Sequence, residues 1–124
     1  MIICNWNIRG LNKAYKHTEI RKFISDNDIQ VMGLTETRVK AHKQDFIHKA
    51  IMPQWNLFTN NHIDSSSRIW VLWNPNRVNV DILLSNHQMI HVRVTSDDHK
   101  ISFQASFIYA YNTGLLRVPL WNSN

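Results

Sequence analysis

Met1-Ile2-Ile3-Cys4-Asn5-Trp6-Asn7-Ile8-Arg9-Gly10 opens the chain, and Ile29-Gln30-Val31-Met32-Gly33-Leu34-Thr35-Glu36 follows one helix later. The first stretch is apolar and β-compatible as far as Trp6, and Gly10 allows the sharp exit a strand needs. The second is nearly continuous in apolar character through Leu34, the pattern of a strand buried on both faces. Between them Ile20, Phe23 and Ile24 recur at helical spacing, while Glu19, Arg21, Lys22 and Asp26 take the opposite face. This predicts a short helix from about Lys16 to Ser25, stopped by Asp26-Asn27-Asp28. Strand, helix and strand make a βαβ unit, whose crossover sets the two strands parallel and brings their carboxyl ends to one edge. Asn7 and Glu36 leave from that edge, where ligands of such sheets tend to lie. They form a candidate site; a turn cap at Asn7 and a solvated carboxylate at Glu36 are the structural alternatives.

Downstream of a polar stretch holding Lys40, His42, Lys43 and Asp45, the remainder reads as antiparallel sheet. Trp55, Leu57 and Thr59 alternate in one strand, and Ile69 to Trp73 form another. Asn74-Pro75-Asn76-Arg77 then turns the chain into Val78, Val80, Ile82 and Leu84, a period-two run. Ser85-Asn86-His87 and Ser96-Asp97-Asp98-His99 are the next reversals, around Ile90, Val92 and Val94 and ahead of Ile101, Phe103, Ala105, Phe107 and Tyr109. Adjacent hairpins of this kind predict a meander. The fold class is therefore α/β, a mixed sheet with one βαβ unit and antiparallel hairpins, in a single domain over residues 1–124.

Composition narrows the function classes. With 14 Lys+Arg against 9 Asp+Glu the formal charge is +5, and 44% apolar residues permit a folded core. A positive balance suits a polyanionic partner, because phosphate contacts release counterions; an ordinary solvated surface is the plainer reading. The lone Cys4, expected to be buried in the first strand, excludes an internal disulfide and a multi-cysteine zinc site. The longest apolar run, Ile69 to Trp73, is too short to cross a bilayer and no basic leader precedes a long apolar segment, so the expectation is an intracellular protein, nuclear or cytoplasmic, without a membrane partner.

The seven histidines are scattered, without the helical pairing or the Cys/His grouping of a zinc site. No GxxxxGK[ST] or GxGxxG pattern cradles phosphate, and no serine sits in a GxSxG elbow. Mg2+ makes a smaller demand, often one or two carboxylates with water and substrate oxygens, and Glu36 meets it.

Asn5-Trp6-Asn7-Ile8-Arg9-Gly10-Leu11 and Gly33-Leu34-Thr35-Glu36-Thr37-Arg38-Val39-Lys40 together resemble the endonuclease/exonuclease/phosphatase superfamily, and within it the endonuclease domain of plant LINE-type (non-LTR) retrotransposons. Three further blocks fall in register: Ser67-Arg68-Ile69-Trp70-Val71-Leu72-Trp73-Asn74-Pro75, Gln88-Met89-Ile90-His91-Val92, and Phe107-Ile108-Tyr109-Ala110-Tyr111-Asn112 with Arg117 and Leu120-Trp121 beyond. The resemblance implies that Glu36 binds a catalytic Mg2+, which Mn2+ can replace. It also implies that Asn7 positions metal and phosphate, and that Tyr109 and Asn112 face the scissile phosphate. Arg9 and Lys40, expected in loops at the same edge, become candidates for DNA phosphates.

Members of the superfamily carry a second half with a Gly-Asp-Phe-Asn-like block and a terminal Ser-Asp-His-like block. This sequence contains neither, so the resemblance implies the N-terminal half of a four-layer α/β sandwich, catalytically incomplete for want of its general base. Its second sheet is then expected mainly from the other half. Trp70, Leu72, Phe103, Ala105 and Phe107 are expected to form an exposed apolar patch, inviting self-association or a chain that supplies the other half. Two readings follow: part of a Mg2+-dependent DNA endonuclease, or a non-catalytic remnant serving as a weak nucleic-acid-binding or interaction module. A phosphatase acting on a small phosphoester or lipid headgroup is a third, disfavoured by the Trp-Asn-Ile-Arg-Gly-Leu wording and the basic balance.

Overall fold

The computed structural model describes residues 1–60 and 66–109. Strand β1 (Ile3–Asn7) leads through helix α1 (Ala14–Asp26) into strand β2 (Val31–Lys40), and β1 and β2 pair in parallel with Asn7 opposite Thr35. The βαβ unit read from the sequence is present, with a longer helix and a much longer second strand. Each surplus has a local cause. Ala14 and Tyr15 add a first turn ahead of the periodic apolar residues. Beyond Thr35 the strand survives a bulge and resumes its pairing with β4 (Ser66–Trp73) at Val39 and Lys40.

Helix α2 (Gln44–Ile51) occupies the stretch read from sequence as merely polar. Its buried side is only Ile47 and Ile51, one turn apart, while Phe46 points to solvent, so its periodicity is too short to stand out. Strand β3 (Asn56–Thr59) then pairs with β4 to complete a sheet of order β1-β2-β4-β3. Strands β5 (Val78–Ser85), β6 (Met89–Ser96) and β7 (Ser102–Ile108) form a second sheet, an antiparallel meander. The expected single meander is thus split between two sheets. The cause lies in β4, which is buried on both faces and so takes an interior position beside β2.

Alternation along β2 and β4 sorts their side chains into two cores. Met32, Leu34, Trp70 and Leu72 face α1 and α2, where Ile20, Ile24, Ile47 and Ile51 cover them. Val31, Ile69, Val71 and Trp73 face the second sheet and meet Val78, Val80, Ile90, Val92, Val94 and Phe107. The described residues therefore form three layers: helices, first sheet, second sheet. The exposed apolar patch expected from sequence is absent here, because Trp70 and Leu72 lie under the helices, Phe107 lies between the sheets, and Phe103 and Ala105 are half-buried against the same core. Cys4, expected to be buried, is half-buried, because β1 is an edge strand.

The two sheets approach closely at Gly33. A Cβ placed there would overlap the Phe107 ring and lie 3.0 Å from Asn5 Oδ1, so glycine is required by space rather than by its backbone angles. Gly33→Ala is expected to destabilise the fold by about 1–3 kcal/mol, as overpacking does. Urea unfolding followed by tryptophan fluorescence should show the loss, and adding Phe107→Leu should recover part of it. Equal stability of Gly33→Ala and the wild type would contradict this packing.

Candidate active site

Three hydrogen bonds fasten the loop after β1 to the middle of β2: Ile8 N donates to Thr35 O (3.0 Å), Gly10 N to Glu36 O (2.6 Å) and Leu11 N to Thr37 O (2.9 Å). The same loop is held from α1, where Lys16 Nζ donates to Ile8 O (2.8 Å) and Arg9 O (3.0 Å), and the buried His17 donates to Leu11 O. Two residues of the helix thus brace the exit from β1. Gly10, at φ 98°, supplies the left-handed turn that the sequence assigned to it.

Glu36 does not leave the sheet, as expected, but sits in the bulge of β2. Its φ is 56° and that of Arg38 is 57°, while Arg9 across the loop is at 53°. Left-handed backbone at non-glycine residues costs of the order of 1–3 kcal/mol each and persists where the surroundings impose it. Here the bonds from Gly10 and Leu11 impose it. Within the bulge the Glu36 side chain keeps 22% of its surface exposed, and Arg38 Nη2 lies 3.7 Å from Glu36 Oε2. Arg38 itself is 68% exposed, so this ion pair is weak and easily exchanged.

Tyr109 stands on the second sheet, just past the end of β7, and its backbone N–H donates to Gln88 O (2.8 Å) in the turn before β6. From the first sheet the guanidinium of Arg68 lies over its ring, 5.2 Å from the centroid. Arg68 precedes Ile69, and Ile69 pairs with Thr35, which also pairs with Asn7. Asn7, Glu36, Arg68 and Tyr109 are therefore carried to one rim of the two-sheet stack. Arg9 is exposed in the loop at this rim. Lys40, expected in a loop, is the exposed last residue of β2, carried past the rim by the strand's continuation at about 3.3 Å per residue. Asn112 lies outside the described residues, as do Arg117, Leu120 and Trp121.

Sequence reasoning missed Asn60, Arg38 and Arg68 as parts of this rim. Asn60 is 1% exposed and makes three bonds: its Oδ1 accepts from Arg68 N (3.0 Å) and Ile69 N (3.1 Å), and its Nδ2 donates to Asn86 O (3.2 Å). It fastens the start of β4 to the turn between β5 and β6. Nothing in its sequence neighbourhood announces this, since the partners are eight, nine and 26 residues away.

The donor set is one of hard oxygens. Glu36 offers a carboxylate and Asn7 an amide oxygen, which suit Mg2+ when water and a substrate oxygen complete the shell. Among the described residues no group of three or more His, Cys, Asp or Glu gathers to hold a metal, so a cage of protein ligands alone is not built here. The donor set fits a water-rich ion.

No protein-family model and no curated protein matches the chain by sequence. Solved structures do match its fold. An endonuclease/exonuclease/phosphatase family protein from Bacteroides thetaiotaomicron aligns with a TM-score of 0.60 at 12% identity, over 84% of this chain and 48% of that one. The fold is that of the endonuclease/exonuclease/phosphatase proteins. The AP endonuclease LMAP from Leishmania major aligns with a TM-score of 0.61 at 14% identity, over 93% of this chain and 42% of its own. The APE2 catalytic domain of Xenopus laevis aligns with a TM-score of 0.57 at 13% identity, over 99% and 49%. The chain thus spans about half the length of the endonuclease/exonuclease/phosphatase structures it matches.

Asn60→Ala is expected to cost about 1–3 kcal/mol, because it leaves the Arg68 and Ile69 amides without their side-chain acceptor. Asn60→Asp keeps the acceptor for both amides but replaces the donor to Asn86 O, so it should preserve amide protection at Arg68 and Ile69 while losing the Asn86 contact. Hydrogen exchange at the amides of Arg68 and Ile69 reads both, with faster exchange in the alanine variant; unchanged protection there would count against the assignment.

Proposed function

We propose that the chain supplies the metal-binding and phosphate-binding part of a divalent-metal-dependent phosphodiesterase acting on DNA, of the type that nicks target DNA for a plant LINE-type retrotransposon. One observation carries this reading: Asn7 pairs with Thr35, the residue before Glu36, where the parallel pairing of β1 and β2 ends, and Arg68, next to Ile69 on the strand paired with Thr35, reaches Tyr109. The wording of Asn5 to Leu11 and of Gly33 to Lys40 supports the retrotransposon type. The fold shared with the AP endonuclease and APE2 structures supports a nuclease, and their names point to DNA.

In this reading Glu36 and Asn7 hold Mg2+, or Mn2+ in its place. The ion, when bound, withdraws charge from a phosphate oxygen and favours attack at phosphorus. The chain's own groups do the rest of the positioning. The Asn7 amide orients ligand or phosphate without adding charge, and the Tyr109 phenol donates to a phosphate oxygen as negative charge grows on it. Asn112 is assigned beside it from the resemblance alone. Arg9 and Lys40 would meet phosphates flanking the cleaved one, and the weak pair between Arg38 and Glu36 would leave the carboxylate available to a metal ion. The activating base belongs to a second half of the domain, so turnover by this chain alone is slight.

Mn2+ titrated into isotopically labelled chain should broaden the amides of Asn7 and Glu36 first. Glu36→Gln should weaken that binding by at least about tenfold, equivalent to 1.4 kcal/mol, while leaving the rest of the amide spectrum in place. Equal broadening in both proteins overturns the metal site. Supercoiled plasmid in Mg2+ supplies the functional arm: nicking that disappears with Glu36→Gln places the enzyme in this chain, and duplex binding that Glu36→Gln leaves unchanged, without nicking, makes it a nucleic-acid-binding module. Arg9→Ala and Lys40→Ala should each lower the salt dependence of duplex binding by about one phosphate contact. Identical salt slopes in fluorescence-anisotropy titrations would remove these two residues from the interface.

A further inference from the structure

The proposed site is divided between two sheets. Asn7 and Glu36 stand on the first and Tyr109 on the second, so their relative placement depends on whatever joins the sheets at the rim. Arg68 reaches from the first sheet to the second there, its guanidinium 5.2 Å from the Tyr109 ring centroid. Its backbone is fixed in turn by the buried Asn60, which accepts from Arg68 N and Ile69 N. The other end of Asn60 donates to Asn86 O, and two residues on Gln88 O accepts from Tyr109 N. Asn60, Arg68, Tyr109, Gln88 and Asn86 thus close a ring of contacts that includes both sheets.

We infer that Arg68 is a positioning residue: resting on the proposed function above, it holds the Tyr109 ring toward the ion and phosphate site of Glu36 and Asn7. The physical case begins with the guanidinium, which is planar, permanently charged and able to lie flat on a ring whose face is electron-rich. Such a contact fixes the ring's direction as well as its distance. An aliphatic side chain of equal reach would fill the same space but exert no directional pull on the aromatic face. Lysine would keep the charge but lose the planar stack. Arg68 is half-buried, so its charge is less screened than that of Arg9 or Lys40 and is set at the rim where phosphate oxygens would arrive.

The test uses the full chain labelled with 3-fluorotyrosine, whose three tyrosines give three fluorine resonances, with Tyr109→Phe assigning the relevant one. Mn2+ is the probe. In the wild type the amides of Asn7 and Glu36 and the fluorine of Tyr109 should all broaden. In Arg68→Met the two amides should still broaden, while the Tyr109 resonance shifts and its broadening falls away. Arg68→Lys should lie between, and together with Arg68→Gln it decides the matter if Arg68→Met fails to fold. An unchanged Tyr109 resonance with unchanged broadening in Arg68→Met overturns the inference and leaves the metal site standing, as does a wild type in which the amides broaden and Tyr109 does not. A wild type in which no amide broadens overturns the proposed function, and the role of Arg68 falls with it.

Discussion

Phe107 lies across Gly33, and this one close approach between the sheets governs the geometry of everything above it. Gly33 is three residues before Glu36 on β2, and Phe107 is two residues before Tyr109 at the end of β7. Both strands run from the contact toward the rim. The offset between the carboxylate and the phenol is therefore set by a packing distance two or three residues below them, at about 3.3 Å per residue. A side chain at Gly33 would push β7 outward, and the displacement would reach the rim with little attenuation because interiors are close-packed and transmit strain. Arg68 and Asn60 close the same seam at its upper end, so the two halves of the site are held from below by shape and from above by polar contacts.

Backbone strain is concentrated at that rim. Of the five non-glycine residues with positive φ among those described, Arg9, Glu36 and Arg38 belong to the loop and bulge that meet there, while Asp28 and His99 lie in turns elsewhere. A bulge in β2 has a direct chemical consequence. Regular alternation would have continued the strict in-and-out sequence of Met32, Gly33 and Leu34, keeping side chains within one core or the other. Two extra residues on β2 between Thr35 and Val39 break the alternation at Glu36. The loop bonds from Ile8, Gly10 and Leu11, braced by Lys16 and His17, stabilise this otherwise unfavourable conformation.

The βαβ unit and its parallel strands were legible in the sequence because each rests on local periodicity plus one topological rule, whereas the exit of Glu36 from the sheet was not, since β2 continues through a bulge to Lys40. The split of the meander was not. The apolar run of Ile69 to Trp73 is compatible with either sheet, and only its burial on both faces, a property of its neighbours, places it beside β2. Helix α2 offers just Ile47 and Ile51 as periodic signal. Asn60 and Arg68 were illegible for another reason: a buried amide that accepts from two backbone N–H groups and a guanidinium lying on a distant ring are long-range relations, and neither residue type forecasts them. The partner of Arg68 lies 41 positions later, beyond the reach of any local pattern. The expected apolar patch failed for the same reason, since its residues were assigned to one face without knowing that helices lay on one side of β4 and a second sheet on the other.

The charges at the rim differ in how firmly they are held, and the difference orders their roles. Arg38 is mostly in solvent and pairs with Glu36 at 3.7 Å, a contact of little net value that an ion or a phosphate can displace at small cost. Arg68 is half-buried, lies over the Tyr109 ring and is anchored through its own backbone by Asn60. Releasing it would disturb a buried hydrogen-bonded amide and the contact between two sheets. The rim therefore carries cations of two kinds, exposed ones at Arg9, Arg38 and Lys40 and a half-buried one at Arg68 that is anchored through its backbone and its contact with Tyr109.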